Sequence, residues 1–348
     1  MSSAVFAIPG DIDLPTGGYA YDRRVRALLP TCGVTVRLLQ LPAGYPAPTA
    51  PDLEATAAAF ADVPAASVLL VDGLAYGAMP AHVIDRARAP IVALVHHPLC
   101  LEAGLSKPRQ DELFALEKAA LAKARRTITT SRITADTLVQ DFAVPRELIT
   151  IAEPGTERAT RATSSNTTPH LVAVGSIVPR KAFDLLVRAL GRLEQLDWRL
   201  TIAGPTDRSA VATRDLAAAI AATGLASRIT IAGALDESEL ARLYAIADIF
   251  VMSSLYEGYG MVLAEAMARG LPIVCTTGGA AADTVPDGAG LKVAPGDEAA
   301  FADAVGRVLR DAGLRRRMGD AAWTAAQSLP RWEDTAAKIA AVIKEIAA

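Results

Sequence analysis

Residues 253–265 read Ser-Ser-Leu-Tyr-Glu-Gly-Tyr-Gly-Met-Val-Leu-Ala-Glu, follow the apolar run Ile249–Phe250–Val251–Met252 and open a helical pattern. Gly258 and Gly260 let the backbone turn sharply and approach a ligand closely. The amides of Gly260, Met261, Val262 and Leu263 then stand at a helix N-terminus, where unsatisfied N–H groups and the helix dipole favour an anion. Glu257 and Glu265 bracket this turn with seven residues between them. Carboxylates repel phosphate, so they suit neutral hydroxyls on either side of it. Sugar hydroxyls, a diphosphate and ribose hydroxyls in series have that layout, which is the layout of a nucleotide-sugar. A Gly-x-Gly at a helix start is common in ordinary tight turns; the two flanking carboxylates make the pattern specific.

Other candidates lie at the ends of apolar runs. Val174–Gly175–Ser176–Ile177–Val178–Pro179–Arg180–Lys181 puts two cations where a helix begins. The dipole opposes cations there, a cost that an anionic partner offsets; solvated charges are the alternative. Gly204 and Gly233 each end a strand pattern and are, taken alone, turn glycines. Near the start, Pro15–Thr16–Gly17–Gly18–Tyr19 follows the first apolar run. Paired glycines there permit close backbone approach to a ligand, as they also permit a plain turn. His96–His97–Pro98 closes the run Ile91–Val95. Most single histidines are satisfied polar residues, but one at the carboxyl edge of a strand is well placed to meet a ligand.

These residues need a scaffold that delivers strand ends to one edge. The 348 residues suffice for two domains. Strand patterns at 4–8, 34–39, 67–71, 91–95 and 127–130 alternate with helical patterns at 18–29, 52–61, 80–87 and 111–125. The second half repeats this order, with strands at 171–174, 199–203, 229–232, 249–252 and 272–275 and helices at 181–194, 211–223, 237–246, 260–269 and 299–312. Such alternation predicts parallel sheets covered by helices on both faces, an α/β class. The expected divisions are a domain at 1–155, a linker at 156–169 almost free of large apolar residues, a domain at 170–330, and a C-terminal amphipathic helix at 331–348 packing toward the first domain. Two doubly wound, Rossmann-like domains would face each other across a cleft lined by the carboxyl ends of their strands.

Residues 243–277, from Leu243–Tyr244–Ala245–Ile246–Ala247–Asp248 through Glu257–Gly258–Tyr259–Gly260 to Glu265–Ala266–Met267–Ala268–Arg269–Gly270–Leu271–Pro272–Ile273–Val274, resemble glycosyltransferase family 4. That family comprises retaining, GT-B-fold enzymes using nucleotide-sugar donors. The resemblance covers the second half and extends more loosely over the first. It implies that Glu257 holds hydroxyls of the donor sugar, that Glu265 holds the ribose, and that the 260–263 amides hold the diphosphate, with Tyr259 and Gly204 beside the donor. Arg180 and Lys181 would neutralise the departing diphosphate, Gly18 would face it from the first domain, and His96 would touch the donor sugar. Tyr19, Tyr21 and Asp22 would face the acceptor. The chain departs from the family pattern at Ser176, where many members carry Arg, and at Ala182, where Gly is usual.

The reaction so implied is transfer of a hexose from a UDP- or GDP-linked donor to an acceptor hydroxyl with retained configuration. The acceptor would be a glycan, a lipid or a small molecule, in polysaccharide, lipopolysaccharide or glycolipid synthesis. No cofactor beyond the donor is expected. Metal independence is also expected, on the reading that the chain carries no Asp-x-Asp motif. A nucleotide-sugar epimerase of similar fold would turn its substrate over without an acceptor, and a non-catalytic sugar-binding module would make the diphosphate groups superfluous.

A net charge of −3, from 35 basic and 38 acidic residues, excludes a dedicated nucleic-acid binder. Three scattered cysteines, Cys32, Cys100 and Cys275, have neither metal nor redox spacing. The first residues read as a strand rather than a signal peptide, and no run is long enough to span a bilayer, so a cytoplasmic location is expected. Lys107, Arg109, Lys118, Lys123, Arg125 and Arg126 form a local basic cluster. It is either a solvated helix face or a peripheral contact with the inner membrane surface.

Overall fold

A computed structural model describes residues 2–163 and 166–347; Ser164 and Ser165, within the expected linker, lie outside the described residues. The chain divides into two compact units, one made of Met1–Gly155 with Pro330–Ala348 and the other of Thr156–Leu329.

The first unit holds β1 (Ser2–Pro9), β2 (Val34–Leu41), β3 (Val68–Asp72), β4 (Ile91–Val95), β5 (Arg126–Thr129) and β6 (Ile149–Ile151). All pair in parallel in the order β2-β1-β3-β4-β5-β6. Every residue of β3 and β4 is buried, as strands covered by helices on both faces must be. The helix Gly17–Leu28 follows β1, its N-cap Thr16 accepting the Tyr19 amide at 3.2 Å. The closing helix Trp332–Ala347 buries Trp332, Ala336, Ile339, Ala340 and Ile343, an apolar stripe at helical spacing. It is fastened by the Thr335 hydroxyl, which donates to the Glu153 carbonyl at 2.6 Å.

The second unit holds β7 (His170–Val174), β8 (Arg199–Ala203), β9 (Ile229–Gly233), β10 (Ile249–Met252), β11 (Ile273–Thr276) and β12 (Gly290–Val293). They are also parallel, in the order β12-β11-β10-β7-β8-β9. In each unit the order reverses once, between β1 and β3 in the first and between β7 and β10 in the second. Open parallel sheets bind ligands beyond the carboxyl ends of the strands at such reversals.

The expected α/β alternation is present, with corrections. Each sheet has six strands rather than five. The additions, β6 and β12, are edge strands of three and four residues, too short to leave an alternating pattern. The helix Ala312–Ala326 was also unanticipated. The helix expected over 80–87 shrinks to Ala81–Ile84, and that over 260–269 to Met261–Met267 behind Gly260, whose φ is 86°.

The helix expected at 181–194 starts late. Pro179–Lys181 is a 3₁₀ turn, Ala182 adopts a left-handed conformation (φ 47°, ψ 45°), and the helix runs Phe183–Gly191. A Cβ in that region costs about 1–2 kcal/mol. Ala182→Gly is therefore expected to stabilise the chain by up to about 1 kcal/mol, the relieved strain less the added freedom of the unfolded glycine, measurable by chemical denaturation. Among the described residues no helix is long and apolar enough to cross a membrane.

Candidate active site

In the second unit, the reversal point brings together two motifs that are 76 residues apart. Lys181 Nζ donates to Glu257 Oε1 at 2.6 Å, and Arg180 Nη1 lies 3.3 Å from Glu257 Oε2. The Lys181 and Glu257 side chains are only 11% and 8% exposed, so the ion pair is largely removed from water. Arg180 Nη1 also donates to the Tyr256 carbonyl at 2.8 Å. Backbone bonds hold the two loops together. The Leu255 amide donates to the Arg180 carbonyl at 2.7 Å, and the Ser253 hydroxyl bridges the Lys181 and Ala182 carbonyls at 2.9 Å each.

On its other side, Glu257 is tied to the loop after β11. Its amide donates to the Gly278 carbonyl at 3.1 Å and its carbonyl accepts the Ala280 amide at 2.8 Å. Gly278 and Gly279, which the sequence reading passed over, make that approach possible: a Cβ on either would lie 2.2 Å from a carbonyl oxygen, of Leu255 or Glu257. A Gly-Gly pair just after a strand was the available signal. Burial alone raises the Glu257 pKa, but the charges of Lys181 and then Arg180 overcome it and hold the group at about 2. Glu257 is thus a fixed anion that carries its own cations.

Gly204 sits at the end of β8, where any Cβ would lie 1.9 Å from the Gly175 carbonyl oxygen. Its amide donates to the Gly233 carbonyl at 2.7 Å, which aligns the ends of β7, β8 and β9. Of the amides expected to receive phosphate, that of Leu263 is already committed to the Gly260 carbonyl at 2.8 Å. This corrects the expected set to Gly260, Met261 and Val262, which lead the first turn. Glu265 is partly buried, and its carboxylate accepts the Tyr244 hydroxyl at 3.0 Å. Arg269 stacks 4.5 Å above that tyrosine ring. Burial raises the Glu265 pKa, opposed by the Tyr244 hydrogen bond and Arg269. Tyr259 offers its carbonyl to the Thr284 hydroxyl at 2.6 Å.

In the first unit, Gly18 lies in the first turn of its helix, and a Cβ there would come within 3.4 Å of His96 Cδ2. His96 Nε2 stands 3.2 Å from Asp22 Oδ1 and 3.5 Å from Asp72 Oδ2. Asp72 escaped the sequence reading, although a carboxylate ending the apolar run Val68–Val71 was a usable signal. The acceptor-facing role expected for Tyr19, Tyr21 and Asp22 is corrected. All three are buried, with the Tyr19 hydroxyl donating to the Pro9 carbonyl at 2.5 Å and the Tyr21 hydroxyl to the Ala152 carbonyl at 2.8 Å. His97 pairs instead with Glu102 at 3.2 Å.

One further expectation changes, and one of two open readings is favoured. The chain does carry an Asp-x-Asp triplet, Asp11–Ile12–Asp13, after β1, so motif absence does not argue for metal independence. Asp11 turns back to accept the Asp13 amide at 2.9 Å. The basic cluster is largely matched by acids, with Lys107 on Asp111 at 2.6 Å, Arg109 on Glu112 at 2.7 Å, Lys123 on Asp85 at 2.7 Å and Arg126 on Glu345. That favours a solvated face over a membrane contact.

Residues 6–155 match the family model described as "Glycosyl transferase 4-like domain", and residues 168–311 match "Glycosyl transferases group 1". The chain belongs to the GT-B glycosyltransferases of the family-4 type. Among curated relatives, it is 29% identical to an MMP alpha-(1->4)-mannosyltransferase of Mycolicibacterium hassiacum, over 74% of this chain and 65% of that protein. It is 32% identical to a D-inositol 3-phosphate glycosyltransferase of Nocardia farcinica, over 68% of this chain and 57% of that one. The chain thus spans less than two thirds of the length of these relatives. In fold it resembles sucrose-phosphate synthase from Thermosynechococcus elongatus, with a TM-score of 0.83 at 21% identity over 99% of both chains. It also resembles Anabaena HepE in complex with UDP-glucose, with a TM-score of 0.78 at 18% identity over 99% of this chain and 100% of that one.

Proposed function

We propose that this glycosyltransferase moves a hexose from a UDP- or GDP-linked donor to an acceptor hydroxyl with retention of anomeric configuration. The contact of Lys181 and Arg180 with Glu257, at the carboxyl edge of β7 and β10, carries this reading. Two cations, suited to a diphosphate, stand against an ionised carboxylate, suited to sugar hydroxyls, which supports the reading. The mannosyltransferase relative and the neighbour bound to UDP-glucose support a hexosyl donor.

In the proposed reaction, Lys181 and Arg180 take up the charge that grows on the diphosphate as the glycosidic C–O bond breaks. The Gly260, Met261 and Val262 amides share that load. The acceptor oxygen attacks the face the diphosphate leaves, and its proton passes to a β-phosphate oxygen. Glu257 and Glu265 are committed to hydroxyls, so neither serves as nucleophile. Glycans, glycolipids and small molecules remain the acceptor classes, with a cytoplasmic location.

Thermal-shift binding against UDP, GDP, ADP and their sugar conjugates tests the donor. One base family is expected to stabilise the protein, by about 2.7 kcal/mol at a hundredfold excess over Kd. Glu265→Ala is expected to abolish most of that shift. Stabilisation by no nucleotide, from folded protein, would defeat the donor assignment.

A further inference from the structure

We propose that Asp22 and Asp72 are positioning residues that hold His96 as an imidazolium, making it a cationic hydrogen-bond donor to the sugar-nucleotide rather than a proton acceptor. The part that concerns the sugar-nucleotide rests on the function proposed above; the charge state of His96 does not.

The three side chains come from three elements that meet where the first sheet reverses. Asp22 projects from the helix Gly17–Leu28, Asp72 ends β3 and His96 follows β4. Asp22 is fully buried and the Asp72 side chain is 2% exposed, whereas His96 keeps 20% of its side chain exposed. Both carboxylates converge on one nitrogen, Nε2. Asp72 uses its other oxygen to cap the following turn, accepting the Leu74 amide at 2.7 Å. Asp22 Oδ2 is buried with no donor beside it and Asp22 lies within hydrogen-bond reach of Asp72, a second carboxyl, so His96 is its only counter-charge among the described residues. A buried carboxylate without a compensating cation is strongly disfavoured.

Neighbours pack against the ring and its backbone. Its Cδ2 edge lies against Gly18, Tyr21 meets it edge-on at 5.2 Å, and the His96 carbonyl accepts the Thr130 hydroxyl at 3.1 Å. With Nε2 directed inward, Nδ1 is the polar atom left for a ligand. A neutral ring donating from Nε2 would offer a lone pair there; a protonated ring offers an N–H.

Of the titratable groups facing the ring, Asp22 and Asp72 are acidic and Tyr21 is a buried phenol whose pKa is pushed up by burial and then by Asp22. Burial lowers the His96 pKa, but the charge and hydrogen bond of Asp22, followed by those of Asp72, raise it to about 10. Asp22 is itself raised to about 7 by burial and by Asp72, with His96 opposing. The same three residues offer ligand atoms within 4.8 Å of one another. A divalent cation in place of the proton is therefore the rival that the test must exclude.

Histidine ¹³Cε1 resonances of the full chain, with His96 assigned through His96→Gln, report its charge from pH 5.5 to 9.5. The wild-type signal is expected to stay imidazolium-like beyond pH 8.5, and Asp22→Asn to lower the midpoint by at least about two pH units. If Asp22→Asn fails to fold, Asp72→Asn, which keeps the cap on Leu74, is expected to lower it likewise. A wild-type midpoint at or below about 6.5 would overturn the proposal, as would an unmoved midpoint in the variants or a wild-type signal shifted by stoichiometric Zn²⁺ or Mn²⁺.

In turnover assays, wild-type kcat/KM is expected to be independent of His96 ionisation between pH 6 and 8. That of Asp22→Asn is expected to fall about tenfold over the same range, as a charge-assisted bond is lost. If the spectra behave as expected but no sugar-nucleotide is bound or turned over, the charge assignment stands and the functional reading fails.

Discussion

Lys181→Ala is expected to lower kcat by about 10²–10³-fold, the scale on which a preorganised group stabilising developing negative charge contributes. It is also expected to destabilise the second unit, because it leaves Glu257 buried with only Arg180 beside it. Removing one partner of a buried pair costs about 3–5 kcal/mol. The two effects separate by pH and by a second substitution. Glu257 is held near pH 2, so its pairing stabilises the fold above its unfolded pKa of about 4.5 and that stability is lost as pH falls toward 2. Lys181→Ala is therefore expected to move acid unfolding to higher pH. Lys181→Met combined with Glu257→Gln removes both buried charges, and is expected to regain most of the stability while turnover stays low. Turnover within tenfold of wild type in folded Lys181→Ala would remove Lys181 from the chemistry. Arg180→Ala is expected to act in the same direction but less strongly on stability, since Arg180 lies farther from Glu257 and also serves the Tyr256 carbonyl.

The parts of this site that were legible in the sequence are those whose signal is local. Glu257, Gly260 and Glu265 lie within one turn, and the strand before them is a plain apolar run. The pairing of Lys181 with Glu257 has no local signal. It exists because the strand order places β10 beside β7, which only the assembled sheet reveals. The same holds for His96, which could be picked as a strand-end histidine while its partners could not. Asp22 lies 74 residues away and was expected to face an acceptor, and burial of that carboxylate is a tertiary fact. Tyr19 and Tyr21 were misread for the converse reason. A tyrosine near a glycine loop suggests ligand contact, but here both hydroxyls satisfy backbone carbonyls inside their own unit. The short edge strands β6 and β12 were missed because three or four residues paired on one side carry too little pattern. The late start after Ala182 was missed because the apolar periodicity continues through a left-handed residue.

Glu117→Gln is expected to stabilise the protein, and to do so only at neutral and alkaline pH. Glu117 lies on the helix Lys107–Leu121 and is 1% exposed. Its Oε2 accepts the Leu99 amide at 2.9 Å, capping the turn Leu99–Leu101, while Oε1 is buried without a partner among the described residues. Burial raises its pKa to about 8, against the lowering effect of the Leu99 bond. In the unfolded chain the group titrates near 4.5. Between these values the folded state keeps a proton that the unfolded state releases. Stability therefore declines as pH rises from about 4.5 to 8 and levels off above that. The gap between 4.5 and about 8 corresponds to a penalty of about 4–5 kcal/mol at pH 8.5. Glutamine keeps the carbonyl that caps Leu99 and carries no charge at any pH. The variant is thus expected to match wild type at pH 4.5 and to exceed it by about that amount at pH 8.5 in denaturant titrations. A wild-type-minus-variant difference that is constant across this range would show that Glu117 ionises as freely as a surface carboxylate, and that the buried cap is stable with its charge in place.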